Sequence, residues 1–161
     1  MFSKVSAACL LALGHIVVNG QPGQSFQLPS KVKIYVDRNY PGWRYLSPPA
    51  VCESDVRRSV LIGDFNGDGT RDYVLKIEVN NNGALIAFIS TREGYRPNII
   101  IKESARAVRD IGFTIGHKGT RVITSRSRSV MLRNDVLLVE SCATRRDANY
   151  WVYKNGVFEA L

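Results

Sequence analysis

The chain has 161 residues, with 22 Lys and Arg against 14 Asp and Glu, for a formal charge of +8 at pH 7. With 45% apolar and 22% charged residues it is too apolar for a disordered chain and long enough for one domain with a sizeable core. That length leaves no room for a multidomain enzyme, a many-bladed propeller or a polytopic membrane protein, and the basic balance favours an anionic partner without identifying it.

Residues 1–20 contain no acid and one base, Lys4, followed by an apolar stretch broken by Ser6, Gly14 and His15. The stretch is short for a membrane span, and small residues close it at Val18-Asn19-Gly20. A basic start, a short apolar run and small residues describe a secretory signal peptide, with Gln21 as the expected mature start. Export implies an oxidising compartment, periplasmic or extracellular. Of three cysteines, Cys52 and Cys142 then remain, most simply as a disulfide, the alternative being two buried thiols. In the chain-entropy model a loop of that length contributes about 4–5 kcal/mol, less any strain.

Residues 21–30 read as a flexible lead-in, and residues 31–161 as a single domain. Residues 31–37 alternate polar and apolar, with Val32, Ile34 and Val36 on one side, which predicts a strand. Tyr40-Pro41-Gly42-Trp43 is a turn, and residues 50–58 are a short-helix candidate after Pro48-Pro49. From Ser59 the pattern is β. Val60-Leu61-Ile62 leads into a loop, residues 73–79 and 84–90 form a hairpin around Asn80-Asn81-Asn82-Gly83, and strands follow at 98–102, 111–115, 120–124, 129–132, 136–140, 150–153 and 157–161. Residues 103–109 are an alternative helix, and Lys154-Asn155-Gly156 marks a second tight hairpin. The expected fold class is mainly β: an antiparallel meander with hairpins and at most one or two short helices.

The informative segment is Asp64-Phe65-Asn66-Gly67-Asp68-Gly69-Thr70-Arg71-Asp72. Side-chain oxygens recur at its first, third, fifth and ninth positions, with glycine at the sixth. A hard cation such as Ca²⁺ takes six to eight oxygens at about 2.3–2.6 Å, and alternate residues of a tightly wound loop can aim Asp64, Asn66 and Asp68 at one point. Gly69 permits the sharp turn that points the Thr70 carbonyl inward, and Asp72 closes the set. An EF-hand is excluded, because its twelfth position is Leu75 here and both flanks read as strands. A plain surface turn rich in Asp, Asn and Gly is the competing reading.

Residues 61–75, with their D-x-N-x-D-G-x-x-D loop, resemble the calcium loop of FG-GAP/VCBS-type repeats, which sits between β-strands. The wider chain is similar to small exported bacterial proteins with one such loop and an aromatic hairpin like Tyr150-Trp151-Val152-Tyr153-Lys154-Asn155-Gly156-Val157-Phe158. The resemblance implies a metal site and an envelope or secreted location, not an activity, and it matches Asp64, Asn66, Asp68, Thr70 (backbone) and Asp72 to the repeat's ligands. A closed oxygen set without histidine suits a structural Ca²⁺ better than one that activates water.

Arginine concentrates in the second half. Arg126 and Arg128 share a strand face in Ser125-Arg126-Ser127-Arg128-Ser129, and Arg145 and Arg146 are adjacent, so these four are candidate grips for phosphates or carboxylates, the alternative being a solvated face that protects an edge. No aromatic residues interleave with them, which disfavours nucleic acid. Trp151 and Tyr153 are expected to share one face, more as packing than as a sugar platform. No nucleophile elbow or phosphate loop is present, and His117 is the one histidine after residue 20. Glu53, Asp55, Glu78 and Glu140 are undistinguished candidates for an acid pair. The favoured function is an exported, noncatalytic, calcium-binding β domain that binds an anionic polymer or acidic protein. The alternatives are a small secreted hydrolase and an enzyme inhibitor or accessory subunit.

Overall fold

A computed structural model describes residues 26–47, 49, 59–123, 128–142 and 149–161. The expected leader, Cys52, most of the 50–58 helix candidate, and Arg126, Arg145 and Arg146 lie outside these residues.

The first element corrects the sequence reading. Residues Ser30–Asn39 form a helix, α1, rather than a strand. The alternation of Val32, Ile34 and Val36 fits either period, but only Val32 and Val36 are buried, while Ile34 is 59% exposed. With Leu28, Tyr35 and Tyr40 they make a stripe at helical spacing that packs against a sheet. The Pro29 carbonyl accepts the first helical N–H, from Lys33, at 2.9 Å. Lys33 and Asp37 pair one turn apart at 2.5 Å.

That sheet contains β1 (Arg44–Tyr45), β2 (Val60–Gly63), β3 (Asp72–Val79), β4 (Asn82–Thr91) and β5 (Gly94–Ser104). Its order is β1-β3-β4-β5, with β2 also on β3. β1 and β2 therefore share one edge of β3, β2 along residues 72–75 and β1 along residues 77–78. A five-residue helix, α2 (Ala105–Arg109), capped by Ser104, leads to the second sheet. That sheet comprises β6 (Ile111–Gly116), β9 (Val136–Ser141), β10 (Asn149–Lys154) and β11 (Val157–Ala160), in the order β11-β10-β9-β6. Between β6 and β9 lies a small hairpin of β7 (Arg121–Ile123) and β8 (Ser129–Met131). All the pairings are antiparallel, as expected.

The result is three layers. Tyr73, Leu75, Ile77, Ala84, Ile86 and Phe88 face α1. Val74, Leu85, Ala87 and Ile89 face Phe113, Leu137 and Val139 of the second sheet, with Trp151, Tyr153 and Phe158 against the same core. β3 and β4 are thus covered on both sides, which explains their nearly continuous burial. Both predicted hairpins form. Asn80 and Asn81 hold φ of 47° and 62°, and Asn155 and Gly156 hold 52° and 89°, the left-handed pairs that a two-residue turn requires. The outer edge of the long strand β5 carries Pro97 and a register shift opposite Leu85/Ile86, features that discourage pairing with another chain.

Gly83 lies within β4 rather than in the turn, because α2 crosses it. A Cβ there would stand 2.6 Å from Val108 Cβ and 3.2 Å from Ala105 Cα. Gly83→Ala is expected to cost about 1–3 kcal/mol in urea unfolding as α2 is displaced. A loss under about 0.5 kcal/mol would mean that the helix moves aside freely.

Candidate functional site

The loop from Asp64 to Asp72 joins β2 to β3, and its second residue anchors it. Phe65 is fully buried and meets Phe158 edge-on at 5.8 Å, so the loop base is part of the inter-sheet core. Gly67 and Gly69 hold φ of 77° and 80°, and the chain coils between them. Asp64 Oδ1 accepts the Gly67 N–H at 2.8 Å and Oδ2 the Gly69 N–H at 3.0 Å. Asn66 Oδ1 accepts from Asp68 N–H at 3.0 Å, and Asp68 Oδ1 from Thr70 N–H at 2.7 Å. Each side chain at positions one, three and five therefore turns at least one oxygen back onto the loop's own backbone.

Asp72 is fully buried and braces the loop to the sheet. Its Oδ2 accepts the N–H groups of Phe65 (2.8 Å) and Asn66 (3.4 Å), and its Oδ1 that of Ser90 (2.7 Å). Burial pushes its carboxyl above the usual carboxylate range, against the pull of these N–H groups. At Asp68 the balance is reversed. The rise from burial is overcome by hydrogen bonds from Thr70, Asn66 and Ser90, and the carboxyl sits below its usual value.

Two partners were missed in the sequence. Ser90, at the end of β4, donates its hydroxyl to Asp68 Oδ2 at 3.0 Å. Asp135, between β8 and β9, accepts the Asp64 N–H at 3.1 Å and returns its own N–H to the Asp64 carbonyl at 3.2 Å. Its neighbour Asn134 packs so close to Gly67 that a Cβ there would lie 2.5 Å from Asn134 Oδ1. The loop is therefore held from both sheets. No single-sequence signal distinguishes this serine and this aspartate from ordinary surface residues.

The donor set suits a hard cation in chemistry. Carboxylate, amide and main-chain oxygens are all that the loop presents, and an oxygen that accepts one N–H keeps a second lone pair. The arrangement is that of a hydrogen-bonded loop. Asn66 Nδ2 sits 2.9 Å from Asp68 Oδ2, and among the described residues no three His, Cys, Asp or Glu side chains gather as a metal cluster. Ion pairs among the described residues join Lys33–Asp37, Arg44–Glu78 and Arg109–Glu78, and none reaches Asp64, Asp68 or Asp72. Three acids thus share one loop without a cation from the protein's described side chains.

Cys142 is buried and disulfide-bonded, while its expected partner Cys52 lies outside the described residues. Of the four candidate anion-binding arginines only Arg128 is described, and it is exposed. Trp151 and Tyr153 pack on the inter-sheet core, as expected for packing residues. His117 Nδ1 lies 3.6 Å from Asp135 Oδ1 at the surface. No helix among the described residues is long and apolar enough to cross a membrane. The chain matches no protein-family model, no curated protein and no solved structure.

Proposed function

We propose that this chain is an exported, noncatalytic β domain whose loop at 64–72 binds a structural Ca²⁺ and whose basic surface takes an anionic polymer or acidic protein. The observation that carries the metal reading is the uncompensated charge: Asp64, Asp68 and buried Asp72 share a coiled, oxygen-only loop, and no described cation pairs with them. Asp64, Asn66, Asp68 and the Thr70 carbonyl would hold the ion, with Asp72 joining them or bracing the loop from below. The cation would neutralise the loop and fix the exit of β2 against the start of β3. Export is supported by the character of residues 1–20 and by the disulfide at Cys142. Of the acids offered for the hydrolase alternative, Glu78 is engaged by two arginines, and Glu53 and Asp55 lie outside the described residues.

Thermal melts with calcium and with chelator test the metal reading. At ten times the dissociation constant, free Ca²⁺ is expected to add about 1.4 kcal/mol of stability, a rise of a few degrees in Tm. Asp68→Ala and Asp64→Ala are expected to lose that rise. Equal calcium shifts in wild type and variants would remove the site.

A further inference from the structure

The +8 charge has a second consequence, at the opposite end of β3 from the loop. Glu78 is buried on the face of β3 that also carries Lys76, and it binds two arginines. Arg44, its register partner on β1, donates Nε to Oε1. Arg109, the last residue of α2, donates Nη2 to Oε2 at 3.3 Å. One carboxylate thus faces two guanidinium groups, and the triad keeps a net positive charge. Lys76, fully buried just behind, adds a further cation, its Nζ 3.5 Å from the Arg109 carbonyl. The opposing acid is Asp110 beside Arg109, and among the described residues it pairs with neither arginine.

Each arginine spends one nitrogen on Glu78, and among the described residues neither forms another side-chain hydrogen bond. A guanidinium has five N–H donors, so most of them are not spent on Glu78, and both arginines line a surface concavity of about 430 Å³ together with Tyr45 and Ser47. The Arg44 side chain is 78% exposed and that of Arg109 48%, although Glu78 holds the first at Nε and the second at the terminal Nη2. Tethering matters because a loose arginine loses rotamer entropy on gripping a ligand, whereas one already held by a buried carboxylate loses less.

We propose that Arg44 and Arg109, positioned by Glu78, form a binding site for a phosphate- or sulfate-type oxyanion, either free or borne on a polymer. A dianion balances the excess charge better than a single carboxylate, and two guanidiniums present the paired donors that its oxygens accept. The site rests on the reading of an anionic partner but not on the metal loop, and it can fail separately from either.

The test is a titration of the full-length protein with inorganic phosphate, sulfate and acetate at constant ionic strength, followed by amide NMR shifts around Leu46, Ser47 and Arg109. Saturable binding of phosphate and sulfate is expected, with acetate about tenfold weaker. Arg44→Gln and Arg109→Gln are each expected to weaken phosphate about tenfold, and Arg92→Gln, on the β4–β5 turn, to leave it unchanged. Glu78→Gln separates positioning from bulk charge. It makes the region more positive yet is expected to weaken binding, because the amide keeps one acceptor oxygen and can hold only one of the two arginines. Melting curves establish that each variant is folded, and the exposed Arg44 makes its variant the safest. Absence of saturation with either ion, equal affinity in Arg44→Gln, or tighter binding in Glu78→Gln overturns the proposal. A polyphosphate arm distinguishes the sources. Polymer binding that survives Arg44→Gln overturns this site and leaves the wider reading, whereas phosphate binding at Arg44 without polymer binding upholds the site and overturns the wider reading.

Discussion

Asp72→Ala is expected to cost about 3 kcal/mol, whether or not calcium is present. The side chain is fully buried and satisfies the N–H groups of Phe65 and Ser90, both inside the protein, with a longer bond to Asn66. Truncation leaves two buried donors without an acceptor, at roughly 1–3 kcal/mol each. Part of that is returned, because burial disfavours the charged carboxylate in the native protein. Asp72→Asn keeps the shape and one acceptor oxygen but turns an NH₂ group toward a backbone N–H, so an intermediate loss is expected. Urea unfolding at pH 7, with calcium and with chelator, measures both. The comparison with Asp68→Ala is informative, since that residue is exposed and its loss should register mainly when calcium is bound. A cost for Asp72→Ala that vanishes in chelator would make Asp72 a metal ligand alone and not a brace.

The strands were legible because short-range chemistry determines them. The Asn-rich turn at 80–81 and the Asn155-Gly156 turn place residues where left-handed φ is tolerated, and the flanking alternation sets the register. The helix α1 was not legible, because Val32, Ile34 and Val36 satisfy a period of two as well as part of a period of 3.6. The deciding fact is tertiary. β4 is apolar at Ala84, Leu85, Ile86, Ala87, Phe88 and Ile89 in succession, so it requires cover on both faces, and α1 is the second cover. The same reasoning applies to the candidate site. The loop's own residues are visible as a pattern, but Ser90 and Asp135 reach it through sheet pairing and a distant turn, and nothing local marks them. Alternation places Val74, Lys76 and Glu78 on the side of β3 opposite Tyr73, Leu75 and Ile77, and nothing local marks that side as buried. Lys76 and Glu78 face inward because β6 and α2 close over that end of β3, and the arginines that engage Glu78 come from β1 and α2, both distant in sequence.

Lys76 carries the other large effect, and its sign depends on pH. The residue is fully buried, its Nζ donates to the Ile111 carbonyl at 2.6 Å, and it lies 5.5 Å from the centre of the Phe113 ring. Its backbone also joins the two edge strands, since its N–H meets the Ser59 carbonyl and its carbonyl meets the Leu46 N–H. Burial, only partly countered by Asp110, lowers its pKa to about 8. The unfolded chain titrates near 10.4. Between those values the unfolded state binds more protons, so this group makes stability rise with pH by at most about 1.4 kcal/mol per unit, and below about pH 8 the contribution is flat. Burial raises the pKa of Tyr40, Tyr45 and Tyr95, an effect of opposite sign near pH 10 and above, so the clean window is about pH 8 to 9.5. Lys76→Met keeps the stem over Phe113 and removes the buried charge. It is expected to change stability by less than about 1 kcal/mol at pH 7.5 and to abolish the rise. Lys76→Ala opens a cavity as well and is expected to cost about 3 kcal/mol at the same pH. Urea midpoints at pH 7.5, 8.5 and 9.5 read both effects. A wild-type curve that is flat across that window would show that the ammonium keeps its ordinary pKa, and a rise that persists in Lys76→Met would show that another group carries it.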